Sequence, residues 1–189
     1  MINNGFKDYQ SRLVDCMRSF DWFPVSKLAK ELLLAYREGR QVFLCGNGGS
    51  AANAIHISND FLCLQAKIKG KGIKVTALPA NQAVITCLAN DIGYEDIFSF
   101  QLERLGSEGD ILIVLSGSGN SPNILKAVDT AKKMGISTYA ILGFDGGKCL
   151  SSVDTAIHFP VSDMQIAEDL QLIVGHMLMQ WLKKSMLDE

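Results

Sequence analysis

The stretch from Val42 to His56 constrains the fold more than any other part of this chain. It opens with an apolar run, VFLC, passes through a turn of small residues, GNGGS, and continues at once in a helical pattern. A buried parallel strand that delivers its carboxyl end to a helix produces such a sequence. Because the start of a helix offers free backbone N–H groups and the positive end of a dipole, this corner suits an anion.

Strand and helix patterns alternate along the rest of the chain. We predict strands near 41–45, 73–77, 110–116, 137–142 and 156–160, and helices near 4–20, 24–38, 51–64, 82–89, 95–105, 122–134 and 165–186. A basic loop that contains glycine lies at 67–72. The alternation is typical of an α/β fold of flavodoxin or Rossmann type, with a five-stranded parallel sheet and helices on both faces.

Two helical patterns precede the first strand. The chain has 189 residues, which is enough for one α/β domain with a real core. We therefore expect a single domain, 1–189, made of a helical extension, 1–39, and an α/β core, 40–189. The apolar stripes of the extension need a partner, so we expect part of that surface to pack against another subunit.

Composition and charge exclude several classes of protein. Hydrophobic residues make up 48% of the chain and charged residues 20%, which is typical of a globular protein. The net charge of -2 offers no basic field to a nucleic acid or an anionic membrane, and no apolar run approaches the length of a membrane span. The five scattered cysteines favour reduced core thiols of a cytoplasmic protein over disulfides or a cysteine-bound zinc.

A second loop of serine and glycine, SGSGNS at 116–121, follows the apolar strand pattern at 110–116. Loops at the carboxyl ends of adjacent parallel strands face one crevice, so we expect this loop to lie beside the first corner. The hydroxyls of Ser116, Ser118 and Ser121 can surround a phosphate without a lysine. Two glycine turns that merely permit tight connections are the structural alternative. Neither loop has the spacing of a dinucleotide fingerprint or a P-loop, so the phosphate would belong to a small molecule.

Histidines and acidic residues occur together on two of the predicted helices. His56 and Asp60 are four residues apart, which places them on one helix face, as metal binding or acid–base pairing requires. A core histidine beside a solvated acid has the same spacing. Glu168 and His176 lie in the apolar last helix, where the histidine is either buried and satisfied or a functional base. Eight residues of helix span about 12 Å, which is long for two ligands of one ion, so the pair works only if Glu168 reaches down the axis, lies in a distorted first turn or meets the partner across chains.

Three motifs carry a resemblance to a known family. They are CGNGGSAANAIH at 45–56, NDIGY at 90–94 and SGSGNSPN at 116–123. Together they resemble the sugar isomerase (SIS) domain family, and most of all its phosphoheptose isomerases. The resemblance implies conversion of sedoheptulose 7-phosphate into D-glycero-D-manno-heptose 7-phosphate through an enediol, for lipopolysaccharide or capsule heptose. It also implies a cytoplasmic homotetramer with active sites near subunit interfaces.

The same resemblance implies roles for individual residues. The residues expected to hold a divalent metal, Zn²⁺, are His56, Asp60, Glu168 and His176. The expected acid–base groups of the enediol step are Asp60 and His176. The residues expected to bind the phosphate or the sugar hydroxyls are Asn47, Gly48, Ser50, Asn90, Asp91, Ser116, Gly117, Ser118 and Ser121.

The chain departs from the family's pattern at several of these positions. Asp60 stands where the family has a glutamate, and Glu168 stands where it has a glutamine ligand. Gly117 replaces a threonine, and Gln165 replaces an aspartate. Because these changes surround the substrate, they leave room for a different sugar phosphate. They also leave room for a non-catalytic SIS adaptor of the kind that binds a replication initiator, or for a sugar-phosphate-sensing regulator.

Overall fold

The computed structural model describes residues 2–64 and 72–187. The strands are β1 (Gln41–Gly46), β2 (Lys74–Ala77), β3 (Ile111–Ser116), β4 (Ser137–Leu142) and β5 (Thr155–His158). The helices are α1 (Ile2–Ser19), α2 (Phe23–Glu38), α3 (Gly49–Cys63), α4 (Gln82–Asp91), α5 (Ser99–Leu105), α6 (Pro122–Lys133), α7 (Cys149–Ser152) and α8 (Met164–Leu187). Short 3-10 turns lie at Leu78–Ala80 and Tyr94–Asp96. Of the basic loop predicted at 67–72, residues 67–71 lie outside the described residues.

The five strands form one parallel sheet in the order β2-β1-β3-β4-β5. This confirms the predicted α/β class, and the order is that of flavodoxin-like folds. Because the chain winds away from β1 in both directions, a crevice opens at the carboxyl ends of β1 and β3. The register pairs Gly46 with Leu115 and Ser116 with Leu142, so the loops after β1, β3 and β4 meet at this edge.

Apolar side chains cover both faces of the sheet, as predicted. On one face α2, α3 and α8 pack against the strands through residues such as Leu32 and Phe61. On the other face α4, α5, α6 and α7 pack through residues such as Leu102 and Ile124. β3 is buried along its whole length because helices cover it on both sides, which explains its continuous apolar sequence.

The two N-terminal helices pack in different ways. α2 buries its apolar stripe against α8 and the sheet, so most of that stripe is covered within the chain. α1 leaves much of its surface exposed, including Phe6, which is 72% exposed. Two polar contacts tie α1 to α8, from Tyr9 to Asp169 and from Arg12 to Asp163. The exposed part of the extension therefore belongs mainly to α1.

Two local features differ from the predicted elements. The helix predicted at 95–105 is instead a 3-10 turn at Tyr94–Asp96 followed by α5, and the buried residues Ile97 and Phe98 lie between the two. The pattern does not predict α7, which is a single turn after β4. No helix within the described ranges combines the length and the apolar character that crossing a bilayer requires.

All five cysteines are free thiols. Cys45 and Cys149 are buried, and burial raises the pKa of Cys149 to about 11. Cys63 and Cys87 are exposed, so the prediction of core thiols is wrong for these two. They occupy outward-facing positions of α3 and α4, helices whose opposite faces supply the core.

Candidate active site

The corner after β1 turns tightly into α3. Gly48 has φ +56°, and a Cβ on Gly46 would lie 2.7 Å from the backbone of Ser50, so both positions favour glycine. Ser50 is only 3% exposed, which places its hydroxyl inside the first turn of α3. Asn47 is half-buried at the crevice, where its side-chain amide can reach the neighbouring loop.

The serine loop after β3 is shaped by its own hydroxyls. The Oγ of Ser116 accepts a hydrogen bond from the N–H of Gly119 at 3.0 Å. The Oγ of Ser118 accepts one from the N–H of Asn120 at 3.3 Å. Each hydroxyl keeps its hydrogen, which can be donated to a phosphate oxygen. Ser121 precedes α6 and makes no capping hydrogen bond with its side chain, so the loop presents hydroxyls beside a helix start.

A pair of side-chain amides joins the two loops. The Nδ2 of Asn47 donates to Oδ1 of Asn123 at 2.8 Å, and the Nδ2 of Asn123 donates back to Oδ1 of Asn47 at 2.8 Å. The hydroxyl of Tyr94 donates to the same Oδ1 of Asn47 at 3.1 Å. The predicted site residues do not include Asn123 or Tyr94. Both lie at the ends of motifs that the sequence analysis singled out, which is the signal that could have found them.

A cavity of about 270 Å³ opens beside this amide pair, between the β1 corner and α4. Its polar lining includes Asn47, Gln82, Thr86 and Tyr94, and apolar side chains such as Ile85 complete it. Its lining comes from the β1 corner, the turn after β2, α4 and the segment around Tyr94, so it lies at the carboxyl ends of β1 and β2, the edge at which open α/β sheets bind ligands.

Asn90 and Asp91, both predicted to bind the substrate, lie at the exposed carboxyl end of α4. Neither lines the cavity beside Asn47. The Nδ2 of Asn90 and the Sγ of Cys87 donate to the Asp91 carboxylate, and these hydrogen bonds hold the pKa of Asp91 below its usual value. Asp91 is therefore an ionised hydrogen-bond acceptor near neutral pH, and its contact with a substrate stays a prediction.

His56, Asp60 and His176 come together between α3 and α8, in a cluster that we call the His–Asp–His triangle. The two histidine Nε2 atoms are 3.1 Å apart, and Oδ2 of Asp60 lies 3.6 Å from His56 and 3.5 Å from His176. In a tetrahedral zinc site with bonds of about 2.0–2.1 Å, neighbouring ligand atoms are about 3.3 Å apart. The triangle therefore has the spacing of three corners of such a site, and its donor set of two imidazoles and a carboxylate suits zinc.

Close packing of α3 on α8 creates this triangle. A Cβ on Gly175, which precedes His176, would lie 2.5 Å from a side-chain carbon of Ile57, which follows His56. The absence of a side chain at position 175 thus lets the two helices approach next to both imidazoles. One turn earlier on α3, Asn53 donates to two acceptors on α8, at 2.9 Å and 3.2 Å.

Within this chain Glu168 is not part of the triangle, so its role as a fourth metal ligand stays a prediction. Two turns of α8, about 12 Å, separate it from His176. Its carboxylate instead lies against Gly49, where a Cβ would be 2.3 Å from Oε2. This is the amino end of α3, where the helix dipole favours a negative charge. The Glu168 carboxylate thus lies at the corner where the sequence pattern predicts an anion-binding site.

Gly117 of the serine loop, where the resemblance leads one to expect a threonine, packs against a side chain from α8. A Cβ on Gly117 would lie 2.5 Å from Sδ of Met164, so the thioether fills the space beside this glycine. Gln165 follows Met164, is exposed, and donates its N–H to Asp163 at the start of the helix. The loop at this point therefore packs against a thioether and offers no side-chain hydroxyl.

The site has two parts that lie at different heights along α3. One part is the pair of loops, with hydroxyl, amide and backbone donors for a phosphate and sugar oxygens. The other is the triangle, where His56 lies seven residues beyond Gly49, or about 10 Å along the helix. The side chains of His56 and His176 are 50% and 42% exposed, so a small molecule or another chain can reach them.

Known proteins share this sequence and this fold. The SIS domain family model matches residues 5–143. A phosphoheptose isomerase from Clostridium acetobutylicum is 36% identical over 165 residues, which are 87% of this chain and 84% of that protein. One from Helicobacter pylori (strain P12) is 36% identical over 185 residues, 97% of this chain and 95% of that protein. The solved structure of a phosphoheptose isomerase from Francisella tularensis is 26% identical with a TM-score of 0.89, and the match covers 97% of this chain and 96% of that one. The chain therefore belongs to the SIS domain family and, within it, to the phosphoheptose isomerases.

Proposed function

We propose that this chain is a ketose–aldose isomerase that converts sedoheptulose 7-phosphate into D-glycero-D-manno-heptose 7-phosphate, for the heptose of lipopolysaccharide or a capsule. The convergence of His56, Asp60 and His176, in a chain that belongs to the phosphoheptose isomerases, carries this proposal. A non-catalytic adaptor or a regulator has no evident use for two imidazoles and a carboxylate at these distances.

The triangle would hold one Zn²⁺ through His56, Asp60 and His176. Three protein ligands and one open position are typical of catalytic zinc sites. When bound, the ion supplies a positive charge that stabilises the oxygens of an enediolate. The site accommodates this role because its three ligand atoms converge from two rigid helices and remain accessible from solvent.

Moving a proton between C1 and C2 needs one group for the carbon and one for the oxygens. We assign proton transfer at carbon to Asp60. Its carboxylate removes a proton from C1 while the C1–H electron pair forms the C1=C2 double bond. We assign the proton transfers at the oxygens to His176: with Nε2 toward the ion, its Nδ1–H would give a proton to O2 and Nδ1 would take one back from O1. Return of the first proton from Asp60 to C2 completes the aldose.

The phosphate is assigned to the serine loop. The hydrogens of the Ser116 and Ser118 hydroxyls are free to donate while their oxygens hold the loop, and the Ser121 side chain is not used in capping. The amino end of α6 adds a favourable dipole for an anion. The backbone at Gly117 would lie next to this phosphate.

The sugar hydroxyls are assigned to the β1 corner and the end of α4. Asn47, Gly48 and Ser50 lie at the corner, and Asn90 and Asp91 would reach the sugar from the exposed end of α4. The ionised Asp91 carboxylate would accept hydrogen bonds from hydroxyl groups.

We further propose a cytoplasmic homotetramer whose active sites lie near subunit interfaces. Exposed apolar side chains share α3 and α8 with the triangle: Ile55, Leu62, Met177, Trp181 and Leu187. Apolar surface of this kind is typical of a contact with another protein chain. The free thiols suit a reducing compartment.

The direct test incubates chelator-treated protein with sedoheptulose 7-phosphate, with and without added Zn²⁺, and follows the aldose by NMR. We expect the heptose 7-phosphate to form when zinc is restored and much more slowly before. A five-carbon ketose phosphate in a parallel sample controls for sugar length. No aldose product from the heptulose phosphate under any metal condition would refute the proposed activity.

A further inference from the structure

We infer that Asn123 and Tyr94 are positioning residues that turn the amide of Asn47 so that it offers the substrate a hydrogen-bond donor and no acceptor. This inference rests on the proposed function, because it takes the cavity beside Asn47 to receive the sugar. Neither Asn123 nor Tyr94 has to touch the substrate for it to hold.

The hydrogen bonds around Asn47 use both lone pairs of its amide oxygen and one of its two N–H donors. A side-chain amide has two N–H donors and an oxygen with two lone pairs. The oxygen of Asn47 accepts from Asn123 at 2.8 Å and from Tyr94 at 3.1 Å, so both lone pairs are used. One N–H donates to Asn123 at 2.8 Å. One N–H of Asn47 is left for a ligand.

The surroundings fix this orientation. Asn123 is 1% exposed, so a lone turn of either amide would set two buried N–H groups or two buried oxygens against each other. Leaving a buried polar group unpaired costs about 1–3 kcal/mol, which opposes such a turn. A concerted turn of both amides keeps their mutual bonds, but the Tyr94 hydroxyl would then accept from Nδ2 of Asn47 and its own hydrogen would lose this partner. The tyrosine hydroxyl therefore favours the orientation in which Oδ1 of Asn47 faces it.

The consequence concerns recognition of the sugar. The group of the substrate that meets Asn47 must accept a hydrogen bond through a carbonyl, hydroxyl or phosphate oxygen. Because this bond is present before and during the reaction, its loss weakens binding of substrate and transition state alike. The expected signature is a raised KM with a nearly unchanged kcat.

The kinetic test compares Asn123→Asp and Tyr94→Phe with wild type, with Tyr139→Phe as the control. Asn123→Asp keeps the size of the side chain but cannot donate to the Asn47 oxygen. Tyr94→Phe removes only the hydroxyl, and Tyr139 is a tyrosine of β4 outside the site. We expect KM to rise about five- to tenfold for Asn123→Asp and about threefold for Tyr94→Phe, with kcat within about twofold. An unchanged KM in both variants would overturn the inference.

A double-mutant cycle separates positioning from direct contact. If Tyr94 acts only through Asn47, Tyr94→Phe has no further effect on KM in an Asn47→Ala background. The same threefold effect in that background would show that the hydroxyl contacts the substrate itself, and it would contradict the inference.

A measurement without substrate keeps this inference distinct from the proposed activity. In ¹H–¹⁵N spectra of the free protein, Tyr94→Phe and Asn123→Asp should shift the side-chain amide signals of Asn47, whereas Tyr139→Phe should not. If wild type shows no isomerase activity but these shifts occur, the proposed function fails and the amide network stands. If activity is present but the Asn47 signals do not shift in these variants, the inferred hydrogen-bond network around Asn47 is refuted.

Discussion

At the scale of single residues, the approach of two histidine rings is the most informative contact in the site. With 3.1 Å between the Nε2 atoms of His56 and His176, only one of them can carry a hydrogen on that side. Asp60 turns an oxygen toward both rings. Zinc binding requires both nitrogens to be free of hydrogen, so we expect it to release protons and to strengthen as pH rises.

Replacing His176 tests this arrangement. His176→Asn removes one corner of the triangle, so we expect the protein to lose its stoichiometric zinc and its isomerase activity to fall by about two to four orders of magnitude. Zinc content after dialysis and titration calorimetry with Zn²⁺ provide the measurement.

His158→Asn is the matched control, because this histidine lies on β5 and its ring contacts the carbonyl of Phe144 rather than the triangle. It should keep one zinc per chain. Full zinc binding by His176→Asn, with a normal circular dichroism spectrum, would show that the triangle is not the metal site.

Sequence reasoning reached the triangle only in part. The spacing of His56 and Asp60 places them on one helix face, and the resemblance adds His176. It also adds Glu168, whose carboxylate lies at Gly49 rather than in the triangle of this chain, so its role as a ligand stays a prediction. Tyr94 and Asn123 lie at the ends of two of the motifs, but the motifs do not show that both contact Asn47, which is distant in sequence.

At the scale of secondary-structure elements, the contact between α3 and α8 sets the geometry of the triangle. Gly175→Ala introduces a Cβ 2.5 Å from Ile57, so the helices must separate beside both imidazoles. We expect a loss of about 1–3 kcal/mol of stability and a zinc affinity about tenfold weaker than wild type. Urea unfolding and zinc titration measure the two effects.

Two further variants make this experiment specific. Gly5→Ala in α1 adds the same methyl group where nothing lies within 4 Å, so it should leave stability unchanged or raise it slightly. Ile57→Ala combined with Gly175→Ala removes the clash and should recover zinc affinity relative to Gly175→Ala. If Gly175→Ala alone binds zinc as wild type does, close helix packing does not position the histidines.

The contact between α1 and the start of α8 should lose stability in acid, because it depends on the ionised carboxylate of Asp163. A hydrogen bond from Arg12, and then the N–H groups of Ile166 and Gln165, hold the pKa of Asp163 below its usual value. Since the native pKa is the lower one, this carboxylate stabilises the fold above about pH 4, the unfolded value. Its contribution is lost as pH falls through the lowered native pKa.

We expect Asp163→Asn to flatten the decline of unfolding free energy below about pH 4, with lower stability than wild type at neutral pH. Urea unfolding between pH 3 and pH 7 measures this slope. Asp129→Asn, which disrupts a surface pair with Lys133 in α6, is the control and should keep the slope of wild type. Identical slopes for wild type and Asp163→Asn would contradict the assignment.

Sequence patterns predict most elements because burial controls them. The strands β1, β3 and β4 each contain an apolar run, and the glycines at or after their ends mark where they stop. The break between the turn at Tyr94–Asp96 and α5 is missed because Ile97 and Phe98 are apolar and continue the helical pattern across it. The pattern reports that these residues are buried but not that the backbone between the two segments is irregular.

At the scale of the whole molecule, the exposed apolar surface of α2 and α8 has the character of an interface. Trp181 and Met177, 40% and 42% exposed, line a groove with Trp22. We expect wild type to behave as a tetramer of 20.6 kDa chains and Trp181→Arg to form smaller species, because a charge in an apolar interface is costly. Light scattering coupled to size exclusion measures the mass.

Leu105→Arg is the control, since this 56% exposed leucine ends α5 on the other face of the sheet. It should not change the mass. Thermal unfolding of both variants separates dissociation from misfolding. A Trp181→Arg protein that stays folded with the mass of wild type would exclude this face as the subunit contact.

One helix contacts the serine loop, the β1 corner and the triangle. Met164, the first residue of α8, packs on Gly117 of the serine loop, Glu168 lies at the β1 corner, and Gly175 lets α8 pack closely on α3 beside the triangle. Because these three contacts belong to one helix, any substitution that shifts α8 would disturb the phosphate loop, the corner and the two histidines together.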